Sequence, residues 1–440
     1  MPSARSFTGI ARAGLLLIVA FAGSLLACGG REAADGGTVN ITYWTHADPN
    51  RTALEEELIV AFERAHANIR VKRSTWDSRE ISGTVLTAFA AQRGPDLFNL
   101  QIENAAQYIE SGAVVPVDFA SFPFSSLETA RAAYAPGVLD PVTRNGRLYG
   151  VPLELTNWAI FLNRRMFRDA GLDPDRDYPR TWEDMVRVSE RFIQRADGRL
   201  LRRGFDFRYT DYLIALVPMV EQLGGRLVSP DGRDAIVGED AWIHVLEYLR
   251  DWGPAGRHLG SPHAENARAL FNLDRGEVAM AHTGLYQQGR IRAENPEFWK
   301  SGDWMVVPFP RFENASHDVA SSIYGHYMMV NAAAPAEVQR AAWSFVAFLL
   351  EHAERYLEEV SIVQPTVALM GSDRYRGIPF SDVFRQEMER ARVVYHGPMS
   401  TQLQELVRDA VEAVMFGEVS PQRAYITLRA HARELLATQE

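Results

Sequence analysis

Aromatic rings stand beside short polar side chains at several places in this 440-residue chain. The clearest groups are Trp44 with His46 and Asp48, then Asn157-Trp158 and Tyr286-Gln287. A planar ring covers the apolar C–H face of a ligand, while an amide, imidazole or carboxyl group beside it forms directional hydrogen bonds with hydroxyls. These residues are therefore typical of a pocket for a hydroxyl-rich small molecule such as a sugar.

Two further groups have the same character. Tyr324-Gly325-His326 places a flexible glycine between two polar rings, and Glu103 follows a short apolar segment. Each group also has a structural interpretation. Trp44 and Trp158 would pack under a neighbouring helix equally well, Glu103 would suit a solvated helix start, and His326 would suit a hinge histidine with its hydrogen bonds satisfied.

The composition argues against several classes of function. A net charge of −10 gives no basic stripe, so we expect no nucleic-acid partner. Lys72 and Lys300 are the only lysines, which disfavours Schiff-base chemistry, since that needs a buried amine. We expect no cofactor and no metal.

A secreted hydrolase is the first alternative. A glycosidase needs two carboxylates across a cleft, and Glu103 with Glu154 or Asp211 would be the candidates. The chain has no Gly-x-Ser-x-Gly elbow and no His-Glu-x-x-His helix, and His352 lacks a second histidine at metal-binding spacing. We therefore expect no catalytic residues and no enzyme activity.

The pattern of elements predicts where these side chains meet. Segments 40–44, 69–76 and 96–100 read as strands with amphipathic helices between them, which indicates parallel α/β layers. In such sheets ligands bind beyond the carboxyl ends of the strands. The loops after Trp44 and Leu100 are therefore the first places to look.

The rest of the chain predicts further elements. Asn145-Gly146 is a hairpin-type turn, and Thr181 with Asp184 forms a capping-box-like helix start. From there to about residue 275 the pattern is mainly helical. Segments 278–281, 304–307 and 327–330 read as strands, 341–356 as an apolar helix, and the last 40 residues as amphipathic helix.

The N-terminus has the features of an export signal. Arg5 and Arg12 precede an uncharged apolar run, so we predict a signal peptide over residues 1–27. Leu25-Leu26-Ala27-Cys28 resembles the bacterial lipobox, with Cys28, the only cysteine, as the lipidated residue and 28–38 as a polar tether. We therefore expect an extracytoplasmic protein held at the membrane by lipid. The remaining chain is too long for one core of about 150 residues, so two domains are expected.

A series of motifs resembles the extracellular solute-binding protein family that includes maltose- and glycerol-3-phosphate-binding proteins. Their order and spacing match over nearly the whole chain after the signal peptide. The motifs are Ile41-Thr42-Tyr43-Trp44, Gly94-Pro95-Asp96-Leu97-Phe98, the segment from Gly146 to Asn163, Gly276-Glu277-Val278-Ala279-Met280, and Tyr324-Gly325-His326-Tyr327.

The resemblance implies an α/β, two-lobed fold of the type II periplasmic-binding-protein class, with discontinuous domains joined by a multi-strand hinge. We place the N-lobe at 39–155 plus 283–326 and the C-lobe at 156–282 plus 327–440. The hinge crossings are expected near 154–158, 281–284 and 327–331. Tyr212 opens a helix where maltose-binding relatives carry a stacking tyrosine.

The implied function is to capture a sugar or polyol by hinge closure and to deliver it, as a monomer, to the permease of an ABC importer. Asn99-Leu100 replaces an aromatic of the maltose-type pattern, so a mono- or disaccharide is favoured over a long maltodextrin. Three alternatives of the same fold stay open. They are a glycerol-3-phosphate binder, a ferric or metal binder using Tyr324, His326 and Tyr327, and a sensor that reports a solute to a receptor.

Overall fold

The computed structural model describes residues 37–77, 80–207, 212–260, 267–393 and 395–438. The predicted signal peptide, Cys28 and the tether up to residue 36 lie outside these ranges, as does Asp211. Among the described helices, none combines the length and apolar character that crossing a bilayer requires.

Most strands form one mixed sheet, with β12 joined to the side of β6 and the order β11-β6-β13-β3-β1-β2. The strands of the described ranges are β1 (Val39–His46), β2 (Ile69–Trp76), β3 (Leu97–Gln101), β4 (Thr143–Arg144), β5 (Arg147–Leu148), β6 (Val151–Asn163), β7 (Gln194–Ala196), β8 (Arg199–Arg202), β9 (Arg226–Val228), β10 (Ala235–Val237), β11 (Met280–Gly284), β12 (Trp304–Val307) and β13 (Ile323–Val330).

Helices cover the faces of this sheet. They are α1 (Pro49–Ala65), α2 (Ile81–Ala90), α3 (Ala105–Glu110), α4 (Leu127–Ala133), α5 (Arg164–Asp169), α6 (Trp182–Glu190), α7 (Tyr212–Gln222), α8 (Glu239–Arg250), α9 (Ala267–Leu273), α10 (Gln287–Glu294), α11 (Pro296–Ser301), α12 (Ala336–Glu351), α13 (Ala353–Arg355), α14 (Val367–Met370), α15 (Asp373–Arg376), α16 (Ser381–Arg390), α17 (Ser400–Phe416) and α18 (Pro421–Ala437).

The first strands pair in parallel, as their alternation with helices predicts. β1 lies between β2 and β3, with Tyr43 opposite Leu97 in β3. The right-handed strand–helix–strand connection returns the chain to the same end of the sheet each time. His46 at the end of β1 and Gln101 at the end of β3 therefore reach the same edge.

Strand β6 is the longest of the described strands, and every one of its 13 residues is buried. Its first half pairs with β13, where Asn157 lies opposite Ile323, and its second half pairs with β11 and β12. The predicted crossing at 154–158 falls where β6 changes partners. All three neighbours of β6 run antiparallel to it.

The packing favours lobe boundaries that differ from the predicted ones. Helix α12 packs on β1 and α1, which the prediction assigns to the N-lobe, although it assigns 327–440 to the C-lobe. Likewise β12 pairs with residues 160–163 of β6, whereas the prediction places β12 in the other lobe from them. Helix α12 and strand β12 each pack on elements that the prediction places in the other lobe. The motifs that carry the family resemblance contain no information on this packing. The lobe boundaries stay a prediction.

Local signals for helices and turns are confirmed in two places. Thr181 and Asp184 form a reciprocal capping box at α6, and Asn145 and Gly146 have φ of 50° and 72° in the turn between β4 and β5. The mainly helical prediction for 182–275 is wrong in part, because the hairpins β7–β8 and β9–β10 interrupt it. The turn Asp197-Gly198, with φ of 50° and 75°, is a hairpin signal that the prediction overlooked.

Candidate functional site

The candidate site forms where β1, β3, β6 and β13 meet the loop that follows β11. The alternation of side chains along β13 places Tyr324 and His326 on one face. Tyr327 faces the other way, where it is fully buried and its hydroxyl donates to the backbone oxygen of Val138. The three side chains of the alternative iron site therefore do not converge.

Five rings form a continuous row, which we call the aromatic row: Tyr286, Trp158, Tyr324, His326 and His46. The centroid distances between successive rings are 6.3, 5.7, 5.6 and 4.2 Å, the first three edge-to-face and the last stacked. Such edge-to-face and stacked pairs are the favoured aromatic geometries. The row joins residues that lie up to 280 positions apart between β1 and β13, so no local pattern in the sequence reveals it.

Polar groups lie along the aromatic row. Nδ1 of His326 is 3.3 Å from Oε2 of Glu154, and the amide of Gln101 donates to the hydroxyl of Tyr324. The His326 atom is within ion-pair distance, but it forms no hydrogen bond of acceptable angle within the described residues. Carboxylate, amide and hydroxyl groups of this kind match the hydroxyls of a sugar.

His46 is held neutral by its surroundings. Burial lowers its pKa well below the ordinary value, and the neighbouring His326, Arg51 and Arg290 act in the same direction. Arg51 is itself fully buried, and it pairs with Glu55 at 2.7 Å. Glu55 also pairs with Arg73 at 2.7 Å, so two buried guanidinium groups share this carboxylate near His46.

The side chain of Asp48 contacts two helices, α1 and α10. Its Oδ1 accepts hydrogen bonds from the backbone amides of Asn50 and Arg51, which caps α1. Its Oδ2 lies 2.9 Å from Nη2 of Arg290 in α10. A carbonyl of the same helix, that of Gly289, accepts from the side chain of Asn50 at 3.2 Å. Asp48 therefore ties the start of α1 to α10.

Tyr286 lies between two guanidinium groups. Those of Arg268 and Arg290 are 5.4 and 5.7 Å from its ring centroid, and Arg268 donates to its hydroxyl at 3.0 Å. Cations at this distance from a ring are attracted by its electron-rich face. Two guanidinium groups therefore lie near the Tyr286 ring, and that of Arg290 is also paired with Asp48.

Three predicted site residues are buried and contact other interior groups of the protein. Asn157 donates to the backbone oxygen of Phe384 at 2.9 Å, and Gln287 donates to Asn272 in α9. Trp158 is 1% exposed, which suits a support beneath Tyr286 and Tyr324 more than a stacking face. These contacts favour the structural interpretation of these three residues.

The other predicted residues lie around the row. Trp44 is half-buried against Trp76, with ring centroids 5.0 Å apart, and Glu103 is buried in a short 3-10 turn after β3. A Cβ at Gly325 would lie 1.8 Å from the backbone oxygen of Glu154, so this glycine permits close strand approach rather than flexibility. Tyr212 begins α7, and its side chain is outside the description.

The sequence pattern does not predict Arg290 and Arg268 as site residues, and it suggests Glu154 only as a carboxylate of the alternative glycosidase. Tyr286 and Arg290 are four positions apart at the start of α10, so helical spacing would have placed them on one face. Glu154 belongs to an otherwise apolar strand, and a lone acid there is a signal of its own.

An apolar groove with a volume of about 720 Å³ lies near the start of β13. Its walls include Pro136, Ile323, Met370, Met388 and Val393. None of the predicted site residues lines it. The groove is therefore distinct from the aromatic row.

Comparison with known proteins identifies the family of the chain. The profile of a family described as bacterial extracellular solute-binding protein matches residues 57–364. The chain is 19% identical over 298 residues to an arabinooligosaccharide-binding protein of Bacillus subtilis, covering 64% of this chain and 63% of that protein. It is 24% identical over 173 residues to an sn-glycerol-3-phosphate-binding periplasmic protein of Pectobacterium atrosepticum, covering 38% and 36%. In both cases the matched region spans less than two thirds of the relative.

Among solved structures, a solute-binding protein of an ABC transporter from Thermotoga lettingae, bound with alpha-D-tagatose, has a TM-score of 0.78. The two chains are 20% identical, and the match covers 91% of this chain and all of the other. The likeness confirms the predicted α/β, two-lobed fold of type II periplasmic binding proteins.

Proposed function

Because the chain belongs to the bacterial extracellular solute-binding protein family, we propose that it captures a mono- or disaccharide or related polyol at the aromatic row and delivers it to an ABC permease. Family and fold are those of binding proteins rather than enzymes. The observation that carries the proposal is the row of rings bordered by Glu154, Gln101 and the two arginines. Rings and polar groups of opposite charge suit a ligand with apolar faces and a rim of hydroxyls.

The burial of the row supports capture by closure. Tyr324 is half-buried, and the other four rings are 9% exposed or less. A ligand reaches them only if the elements around the row separate, and contacts with both sides then favour the closed state. The change of partners along β6 is a suitable place for that motion.

A thermal-shift screen of the purified full chain tests the proposal. The ligands are mono- and disaccharides, polyols and glycerol phosphates, each assayed in EDTA. A ligand that binds only the native state raises stability by RT ln(1 + [L]/Kd), about 4 kcal/mol at a thousandfold excess over Kd. We expect a shift of several degrees with one class of sugar or polyol. Silence across all of them would sink the proposal.

Variants at Tyr286 connect the shift to the row. Tyr286→Ala removes a ring and its contacts with both arginines, so we expect the shift to disappear. Tyr286→Phe keeps the ring but loses the hydroxyl that accepts from Arg268, so part of the shift should remain. Tyr178→Ala, at a half-buried tyrosine outside the row, is the matched control and should leave the shift unchanged.

Glycerol-3-phosphate is the second candidate ligand. Arg268 and Arg290 beside Tyr286 would suit a phosphate, because a guanidinium recognises its oxygens through paired hydrogen bonds. Arg290 is already paired with Asp48, which favours the neutral sugar. A shift with glycerol phosphates alone would reverse this order.

Lipid attachment at Cys28 is part of the same proposal. It is supported by the lipobox-like sequence before the cysteine and by the uncharged run that precedes it. Cys28→Ser should release the protein from the membrane fraction of cells, whereas unchanged fractionation would contradict lipid anchoring.

A further inference from the structure

Three side chains able to bind a metal meet where β1, β6 and β13 come together. His46, Glu154 and His326 are all buried, and their ligand atoms lie within 4.8 Å of one another. We propose that these residues form a binding site for a divalent transition-metal ion, with Zn²⁺ as the representative ion. The site is a property of the chain beyond its proposed capture of a sugar.

The donor set fits this class of ion. Imidazole nitrogen suits zinc, copper, iron and nickel, and two histidines with one glutamate is a known zinc-binding combination that leaves a coordination position open. Ligand atoms at about 2.0–2.1 Å from a tetrahedral ion are about 3.3 Å apart. Nδ1 of His326 and Oε2 of Glu154 are separated by 3.3 Å. Two of the three ligands thus already have the required spacing.

One buried nitrogen at the site has no hydrogen-bond partner among the described residues. Nδ1 of His326 has no hydrogen bond within the described residues, although its side chain is only 6% exposed. Leaving such an atom unsatisfied costs about 1–3 kcal/mol, and a metal–nitrogen bond would remove that cost. This atom points to a ligand independently of the clustering of the three residues.

The side chain of Asn99 supports the third ligand. It is a hydrogen-bond partner of the His46 ring, and Nη1 of Arg51 lies 3.1 Å from its Oδ1 and 3.4 Å from Nδ1 of His46. Because a guanidinium faces Nδ1, the nitrogen left for an ion is Nε2. A ring nitrogen that donates to the amide oxygen leaves the other nitrogen with a free lone pair, and partners of this kind orient metal-binding histidines.

The neighbouring arginines Arg51 and Arg290 are paired with carboxylates other than Glu154. Arg51 lies 2.7 Å from Glu55, a carboxylate that it shares with Arg73, and Arg290 lies 2.9 Å from Asp48. Among the ion pairs of the described residues, Glu154 takes part only in the one with His326. Its negative charge is therefore available to an ion, and the burial of all three ligands would strengthen that attraction.

Binding requires one local movement. The rings of His46 and His326 are stacked at 4.2 Å with 22° between their planes, so their lone pairs lie in nearly parallel planes. One ring must turn to direct its nitrogen at a shared ion. The stack should therefore be lost when the ion binds.

The test uses the full chain, purified without a polyhistidine tag and stripped with EDTA. Calorimetric titration with Zn²⁺ should give one site per chain. Loss of a residue that only orients a metal ligand typically weakens metal binding by about 10–100-fold, so loss of a direct ligand in His326→Gln or Glu154→Gln should weaken it by more than about 100-fold. His317→Gln, at an exposed histidine, controls for adventitious surface binding and should bind Zn²⁺ like the wild type.

Co²⁺ gives a readout that does not depend on the variants folding. Replacement of Zn²⁺ by Co²⁺ in the wild type should produce the intense visible absorption of a four-coordinate ion. The weak spectrum of octahedral Co²⁺, no binding of Zn²⁺ by the wild type, or unchanged Zn²⁺ affinity in folded His326→Gln and Glu154→Gln would each overturn the metal site.

The experiments distinguish failure of the metal-site proposal from failure of the sugar-capture proposal. A sugar shift in EDTA without any Zn²⁺ binding would overturn the metal site and leave sugar capture intact. Zn²⁺ binding that depends on His326, without a shift from any sugar or polyol, would support the metal site and count against sugar capture.

Discussion

The carboxylate of Asp48 caps helix α1 with one oxygen and lies 2.9 Å from the guanidinium of Arg290 with the other. One side chain therefore fixes the start of one helix and holds a second helix, α10, beside it. The Arg290 side chain is 27% exposed and that of Asp48 is 8% exposed, so the pair is partly screened by water. Its contribution should be modest and measurable.

We predict that Arg290→Gln weakens ligand binding through loss of this pair. A partly exposed ion pair contributes up to about 1 kcal/mol, which corresponds to about fivefold in Kd. Calorimetry with the sugar identified by the thermal screen measures the change. Arg433→Gln removes another arginine–aspartate pair, with Asp234, far from the row in sequence, and should leave Kd unchanged. Equal affinities for all three proteins would show that the Asp48 pair does not contribute to binding.

Gly325→Ala should destabilise the protein by at least about 2 kcal/mol. The new Cβ would meet the backbone oxygen of Glu154 at 1.8 Å, and β13 and β6 would have to separate. Urea unfolding measures the loss.

Gly83→Ala is the matched control for that substitution. Gly83 lies within α2 with no atom within 4 Å of the added Cβ, so alanine should stabilise the helix by about 0.5–1 kcal/mol. A Gly325→Ala protein as stable as the wild type would contradict the close strand approach.

Glu55→Gln should destabilise the protein by about 3–5 kcal/mol. Glu55 is fully buried between Arg51 and Arg73, each 2.7 Å away, and the substitution would leave two buried guanidinium groups without a carboxylate. Glu56→Gln, on the exposed side of the same helix, should change the free energy of unfolding by less than about 0.5 kcal/mol. Similar unfolding curves for both variants would show that the buried pair contributes little.

The free energy of unfolding should fall as the pH is lowered from about 6.5 toward about 4. Burial lowers the pKa of His396 from 6.5 to about 4, so in this window the unfolded chain binds a proton that the folded protein excludes. Each such group adds a slope of up to about 1.4 kcal/mol per pH unit. Denaturant unfolding at a series of pH values should therefore show a shallower slope for His396→Gln than for the exposed-site variant His317→Gln. Identical slopes would mean that His396 is not held neutral.

Short-range features of the fold could be predicted from the sequence. The parallel arrangement of β1, β2 and β3, the capping box at Thr181 and the turn at Asn145 follow from patterns of a few residues. Backbone conformation and the burial of one face depend mainly on neighbours along the chain, so a local pattern determines them. The family resemblance, which predicted the two-lobed fold, also depends on short motifs along the chain.

For the candidate site, the sequence shows the chemistry of each side chain but not its contacts in the fold. The sequence identified ring-bearing residues such as Tyr286 and His326, because their side-chain chemistry is visible in any context. The contacts of Asn157 and Gln287 favour a structural role for both, since the amide of Asn157 donates to Phe384 and that of Gln287 to Asn272. Residue type shows what a side chain is able to bind, but only its neighbours show whether that capacity is already used.

The sequence by itself determined the acidic charge, the parallel arrangement of β1, β2 and β3, and which side chains have the chemistry to contact a sugar. Only the tertiary structure decided that β13 lies between β6 and β3, and this pairing brings His326 onto His46 and beside Glu154. Pairing of β13 with β6 and β3, which joins His326 to Glu154 and Gln101 at 172 and 225 positions of separation, depends on how apolar faces are buried together, and no local spacing encodes it. The aromatic row and the proposed metal site are therefore consequences of packing.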